Sequence, residues 1–297
     1  MIGTKEAGFL LLTSKLGNPD RKVLTTSQLR TLGKRAQTMP RPSGERELEA
    51  EDLIALGYSR EMAQHILSLL EELDLLQHYL QRGRRLGCSP VSRVSRTYPE
   101  VLKDRLGLEA PGCLWAKGDV SVLETPMVAL VGSRDIAPEN KAFAAEVGRQ
   151  AALQGYTLVS GNARGADRTA QSACLKAGGS VVSVVADSLA EKTIQNRVLY
   201  LSEEDFDAEF SAQRALRRNR IIHALAEKTF VAQSNFGFGG TWDGSVKNLQ
   251  NGWSPVFCFE DGRDGSSELS ALGAGLIRME DLGDLSALMP QQNSLFV

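Results

Sequence analysis

Three short glycine-rich segments hold the residues that could do chemistry. Gly132-Ser133-Arg134, Ser160-Gly161-Asn162-Ala163-Arg164-Gly165-Ala166-Asp167 and Gly237-Phe238-Gly239-Gly240-Thr241 each follow an apolar run. Glycine lets the backbone approach a ligand closely and take up positive φ. Where such a turn opens a helix, unpaired N–H groups and the positive end of the helix dipole favour an anion. Arg134 and Arg164 add guanidinium forks that suit phosphate. Together the three turns predict a phosphate-binding site. None of them reads GxGxxG or GxxxxGK[ST], which disfavours a conventional dinucleotide site or a Walker-type ATPase, and no cofactor is called for. No His or Cys lies in these turns. Asp167 fits first as an N-cap that closes its loop into a helix, and second as an acid. Cys88, Cys113, Cys174 and Cys258 form no CxxC pair, so buried free thiols are expected and no metal site.

The elements that must position these turns can be read from hydrophobic periodicity. Short apolar runs predict strands at 127–131, 156–159, 181–185, 198–201, 228–232 and 255–259. Helices are predicted at 139–153, 167–176, 213–226 and 241–249. Alternation of this kind gives an α/β fold, a Rossmann-like, doubly wound, mostly parallel sheet. Ligands of such sheets bind beyond the carboxyl ends of the strands, where the three turns fall. Before the sheet, residues 1–95 read as a helical N-terminal domain. Ile66, Leu67, Leu69, Leu70, Leu73, Leu75 and Leu76 recur at helical spacing there, and Pro40, Pro42, Ser43 and Gly44 mark a loop. The Rossmann-like domain is expected over 96–275, with a C-terminal tail at 276–297.

Length and charge agree with this division. The 297 residues suit two domains, and 42% hydrophobic with 24% charged residues excludes a disordered chain. No apolar run nears the ~20 residues of a membrane span, so a cytoplasmic protein without a membrane partner is expected. Thirty-four Lys and Arg face 36 Asp and Glu, a formal net charge of −2. A balanced total leaves room for a local basic groove. Arg82, Arg84, Arg85, Arg93, Arg96, Lys103 and Arg105 form one basic stretch, and Arg214, Arg217, Arg218 and Arg220 another. The second adjoins Glu203, Glu204, Asp205, Asp207 and Glu209, which offer themselves as structural partners. His65, His78 and His223 read as surface or structural histidines.

Val131-Gly132-Ser133-Arg134, Ser160 to Asp167, and Arg218-Asn219-Arg220-Ile221-Ile222, in that order, resemble the DNA-processing protein A family (DprA, also called Smf). Tyr98-Pro99-Glu100-Val101-Leu102 and Leu114-Trp115-Ala116-Lys117-Gly118-Asp119 resemble that family's approach to its Rossmann-like domain. The resemblance spans about 98–260. It implies single-stranded DNA binding, loading of a RecA-type recombinase, protection of incoming DNA in natural transformation, a homodimer, and no catalytic activity. By motif position, Arg134, Ser160, Gly161, Arg164, Gly165 and Asp167 should line the phosphate pocket. Arg218, Asn219 and Arg220 should support or extend it. Gly132, Ser133, Asn162, Gly239, Gly240 and Thr241, from the same turns, complete the candidate set.

The sequence also departs from that family. Many members carry a winged helix after the Rossmann-like domain, and the roughly 37 residues after Glu260 are too few for one. The family's Ser-Gly-containing turn is replaced by Gly237-Phe238-Gly239-Gly240-Thr241-Trp242. That turn leans toward nucleotide-processing relatives, so two other readings stand beside DNA binding. One is a nucleotide-ligand sensor or anti-phage defence module. The other is an enzyme like the phosphoribohydrolases, whose GGxGTxxE turn supplies a Glu that attacks the ribose; Gly244 occupies that position here. For DNA, Phe236, Phe238 and Trp242 are candidate stacking platforms.

Overall fold

The computed structural model describes residues 3–38 and 48–289. The loop predicted at 40–44 and the last residues of the predicted tail lie outside them. Five helices come first: α1 (Thr4–Thr13), α2 (Thr26–Ala36), α3 (Ala50–Ala55), α4 (Arg60–Glu71) and α5 (Leu73–Arg85). Thr25 caps α2, its hydroxyl accepting from the Gln28 amide while the Gln28 side chain reaches back. The single helix that periodicity suggests near 59–80 breaks at Glu72. That residue leaves helical geometry, and its carboxylate binds the buried Arg21, which also donates to the Leu11 and Ser14 carbonyls.

The chain then runs β1 (Cys88–Ser92), α6 (Glu100–Leu106), β2 (Cys113–Lys117), β3 (Met127–Val131), α7 (Pro138–Leu153), β4 (Thr157–Ser160) and α8 (Ala166–Lys176). After these come β5 (Val181–Val184), β6 (Val198–Ser202), α9 (Ala212–Arg217), α10 (Asn219–Leu225) and β7 (Lys228–Val231). It finishes with α11 (Gly240–Asn251), β8 (Val256–Phe259), α12 (Asp264–Ala271) and β9 (Gly275–Ile277). Among the described residues the nine strands form one sheet, in the order β1-β2-β6-β5-β4-β3-β7-β8-β9. β6 through β9 are mutually parallel in that order, while β2 and β1 add antiparallel at one edge. Pro90 sits in that edge strand, where a missing N–H costs no ladder bond.

The α/β, Rossmann-like expectation is met, because the central strands are buried on both faces. β3, Met-Val-Ala-Leu-Val, is buried at every position. Val128 and Leu130 face α7 and α8 through Phe143, Val147 and Ala170. Ala129 and Val131 face α6, α10 and α12 through Leu102, Ile222 and Leu269. From β3 the chain winds outward through β4, β5 and β6, then crosses back to β7 on β3's other side. The winding direction therefore reverses at β3, and the crevice beyond β4, β3 and β7 is where a ligand belongs.

The helical N-terminal stretch is not isolated from the sheet. Leu10 and Leu11 of α1 and Leu76, Tyr79 and Leu80 of α5 share a core with Trp115 of β2 and Phe206. Tyr79 stacks on Phe206 at 4.5 Å, and Trp115 meets the same ring edge-on at 4.9 Å. β1 comes from the stretch 1–95, and β9 crosses 275/276. The helix predicted at 213–226 is divided into α9 and α10 at Arg218, whose side chain turns inward.

Candidate nucleic-acid interface

The turns after β3 and β4 touch each other, and their glycines are what permit it. A Cβ on Gly132 would lie 2.5 Å from Cβ of Ala166. Gly165, at φ +85°, leaves so little room that a Cβ would lie 2.4 Å from the Arg134 carbonyl. The Ala166 amide donates to the Ser133 carbonyl at 3.2 Å, and the Ser133 amide donates to the Gln233 carbonyl at 3.0 Å. Gln233 also accepts from the Ala137 amide through Oε1 at 2.8 Å. The ends of β3, β4 and β7 are thereby tied into one platform.

Beneath it lie a buried aspartate and a buried arginine, and the cap expected of Asp167 is not what forms. Gly165 is the residue that caps α8, and Asp167 stands one turn position inside the helix. Its Oδ2 accepts from the Gly161 and Ala163 amides, each at 3.1 Å, so it ties down the preceding loop instead of the helix. Burial raises its carboxyl above the ordinary carboxylate range, opposed by the Arg218 guanidinium and those two amides. Arg218 is only 7% exposed and donates to the carbonyls of Gly161 and Val184. Ser160 is fully buried and accepts from Gln171 Nε2 at 2.7 Å. Ser160, Gly161, Asp167 and Arg218 thus form the underside of the platform.

Three of the first amides of α8 are engaged. Ala166 donates to Ser133, Arg168 to Ala163 and Thr169 to Gly165. The amides of Asn162, Arg164, Gly165 and Asp167 have no acceptor among the described residues. Asn162 adopts φ +61°, a left-handed geometry asparagine tolerates. The same two turns carry two exposed arginines, Arg134 and Arg164. Arg134 makes no ion pair or side-chain hydrogen bond among the described residues, whereas Arg164 reaches across to Asp135 Oδ1 at 2.6 Å.

The third turn is built differently. Gly239, at φ +91°, precedes α11 without a side-chain cap, and the amides of Gly240, Thr241 and Trp242 find no acceptor among the described residues. Asn219 Nδ2 donates to the Gly240 carbonyl at 3.0 Å. Consecutive residues, Arg218 and Asn219, therefore hold the second and third turns. Phe238 is 76% exposed at the tip, and Phe236 stands edge-on to Trp242 at 5.1 Å. Of the three aromatics, Trp242 is partly packed against the core formed on the α10 face.

Arg220 lies apart from this group. It pairs with Glu203 at 2.6 Å and donates to the Glu109 carbonyl at 3.2 Å; Arg217 joins Glu203 and Arg214 joins Glu204. These pairs line a cleft of about 1210 Å³ between the N-terminal helices and the 203–209 segment. The acids next to this basic cluster hold Arg220, as the sequence offered, but not Arg218. Gly244, where the phosphoribohydrolases have Glu, is buried. A Cβ there would lie 3.1 Å from His223 Nε2 and 3.3 Å from Asn219. Asp243 is occupied by Lys247 at 2.9 Å. His223 is buried between Thr229 and Asn248, and burial holds it down to about 4.

Sequence reasoning did not pick out Gln233 or Asp135. Gln233 acts mostly through its backbone and one amide oxygen, which no pattern announces. Asp135 was open to notice, because it directly follows Arg134. Among the described residues no group of three or more His, Cys, Asp and Glu could hold a metal, and no helix is long and apolar enough to cross a membrane.

The family model of DNA recombination-mediator protein A matches residues 90–280. A DNA processing protein DprA of Bacillus subtilis is 28% identical over 170 residues, covering 53% of this chain and 56% of that protein. The chain thus matches about half the length of this curated relative. Among solved structures, DprA from Streptococcus pneumoniae superposes with a TM-score of 0.71 at 25% identity, over 95% of this chain and 97% of the other. DNA processing protein A from Helicobacter pylori, studied for its single-stranded DNA binding mode, gives 0.54 at 25% identity, over 65% and 93%.

Proposed function

This chain belongs to the DNA recombination-mediator protein A family, and from that premise we propose that its strand-end platform grips the backbone of single-stranded DNA. One observation carries the reading. Two exposed arginines, Arg134 and Arg164, stand beside unpaired amides on a platform braced from below. Cations and free N–H donors fixed in advance are what a phosphate needs, and they lose little entropy on binding. Phe238, exposed beside the uncapped α11, offers a face for a base. Backbone contacts position a strand without specifying its sequence, so binding should depend little on base identity.

The role is that of a binding protein and not of an enzyme. Gly244 carries no carboxylate at the position from which the phosphoribohydrolase Glu attacks the ribose, and its neighbours His223 and Asn219 crowd that position. Loading of a RecA-type recombinase, handling of incoming DNA and a homodimeric state follow as parts of the same proposal, from kinship alone. A titration of oligo-dT, duplex DNA and mononucleotides at two salt concentrations tests the reading. Oligo-dT should bind tightest and lose affinity with salt. Preference for a mononucleotide would favour the ligand-sensor reading.

A further inference from the structure

Arg134 and Asp135 are consecutive on the loop between β3 and α7, yet their charges oppose each other at the mouth of the platform. The Asp135 carboxylate is 90% exposed and holds Arg164, itself 73% exposed, at 2.6 Å. The loop that carries Asp135 is held at both ends by Gln233, through Ser133 and Ala137. It also sits against Gly165, which leaves no room for a side chain. The carboxylate therefore stays at the mouth when a ligand arrives. An ion pair this exposed costs little to open, so Arg164 can be handed to a phosphate. Two guanidiniums and one carboxylate give the mouth a net charge of about +1.

A phosphodiester inside a strand carries one negative charge, and a terminal phosphomonoester carries −1.5 to about −2 near pH 7. We propose that Asp135 is a specificity residue that matches the mouth to an internal phosphodiester and disfavours a terminal phosphomonoester. The platform then takes the interior of a strand in preference to free nucleotides and phosphorylated ends. This inference rests on the strand-end reading above. A unit charge about 6 Å away in a water-like medium changes affinity by about threefold for a monoanion and about tenfold for a dianion.

The test is displacement of labelled oligo-dT by two competitors, dTMP and the dinucleoside monophosphate dTpdT. Relative to the unaltered protein, Asp135→Asn should tighten dTMP by about tenfold and dTpdT by only about threefold. Adding Arg164→Ala to that variant restores a net charge of about +1, and the preference should return toward its original value. Equal changes for the two competitors, or no change, would overturn the proposal. Failure of the underlying reading shows differently: oligo-dT affinity would be indifferent to Arg134→Ala.

Discussion

The turn between β4 and α8 and the turn before α11 are both glycine-rich and both lead into a helix, yet they are finished in different ways. In the first, a buried aspartate and a buried arginine bond the loop's backbone from below, while the amides of Asn162, Arg164, Gly165 and Asp167 have no acceptor among the described residues. In the second, the helix starts without a cap and its opening amides face outward, next to an exposed phenylalanine. The first is braced by buried charged groups and presents arginines together with free amides; the second lacks such a brace and presents free amides beside an aromatic ring. A glycine pattern therefore says where the chain bends and not which of its groups a ligand will meet.

The largest effect should come from breaking the brace. Arg218→Ala leaves the Gly161 and Val184 carbonyls without their donor and Asp167 without the neighbouring guanidinium, and each buried group left unsatisfied costs about 1–3 kcal/mol. Urea denaturation should show a loss of this size, and a loss below about 1 kcal/mol would mean that the platform does not depend on Arg218.

The pH dependence should separate the two regions by sign. His223 seats α11 through Asn248, and burial holds it at about 4 against an ordinary 6.5. Between those values the unfolded chain takes up a proton that the folded protein does not. Stability is therefore lost as pH falls, by about 3 kcal/mol across the window. Asp167 works the other way. Its folded pKa is raised by burial, so its contribution is present below the ordinary value of 3.8 and declines as pH rises through the folded one. His223→Gln should flatten the acid limb of a stability–pH curve, and Asp167→Asn should remove the opposing component.

The paired glycines give a smaller and sharper contrast. Gly165 and Gly239 both have positive φ, but only Gly165 has neighbours where a Cβ would go. Gly239→Ala should cost about 1–3 kcal/mol from backbone strain alone. Gly165→Ala should cost more, because the Ser133 and Arg134 carbonyls must also move. Equal losses in thermal denaturation would remove the distinction between a packed turn and an open one. Phe238→Ala should leave stability unchanged and weaken oligo-dT by about 1–3 kcal/mol if a base stacks there, which a fluorescence titration measures.

Much of the fold was legible because the strands of a doubly wound sheet are continuous apolar runs, as 127–131 and 256–259 show. The edge strands were not. β1 contains Ser89, Pro90 and Ser92 and reads as loop, and it is a strand only because β2 lies beside it. The site was half legible. Glycines with arginines at strand ends pointed to the candidate platform. Sequence could not divide its residues into those that face a ligand and those beneath, since Arg134 and Arg218 differ only in where the chain carries them. Asp167 looked like a cap because its place near a helix start suits one, and only the loop's return brings the Gly161 and Ala163 amides to it.

The central claim is that the platform binds phosphate through Arg134 and Arg164. Its most direct test is the salt dependence of oligo-dT affinity for the unaltered protein and for Arg134→Ala, a substitution at an exposed side chain that braces nothing. Each neutralised phosphate contributes about −0.7 to the slope of log K against log salt for a single strand. Arg134→Ala should flatten the slope by about that amount and weaken binding alike for all base sequences. A folded Arg134→Ala protein with unchanged affinity and unchanged slope would contradict the account.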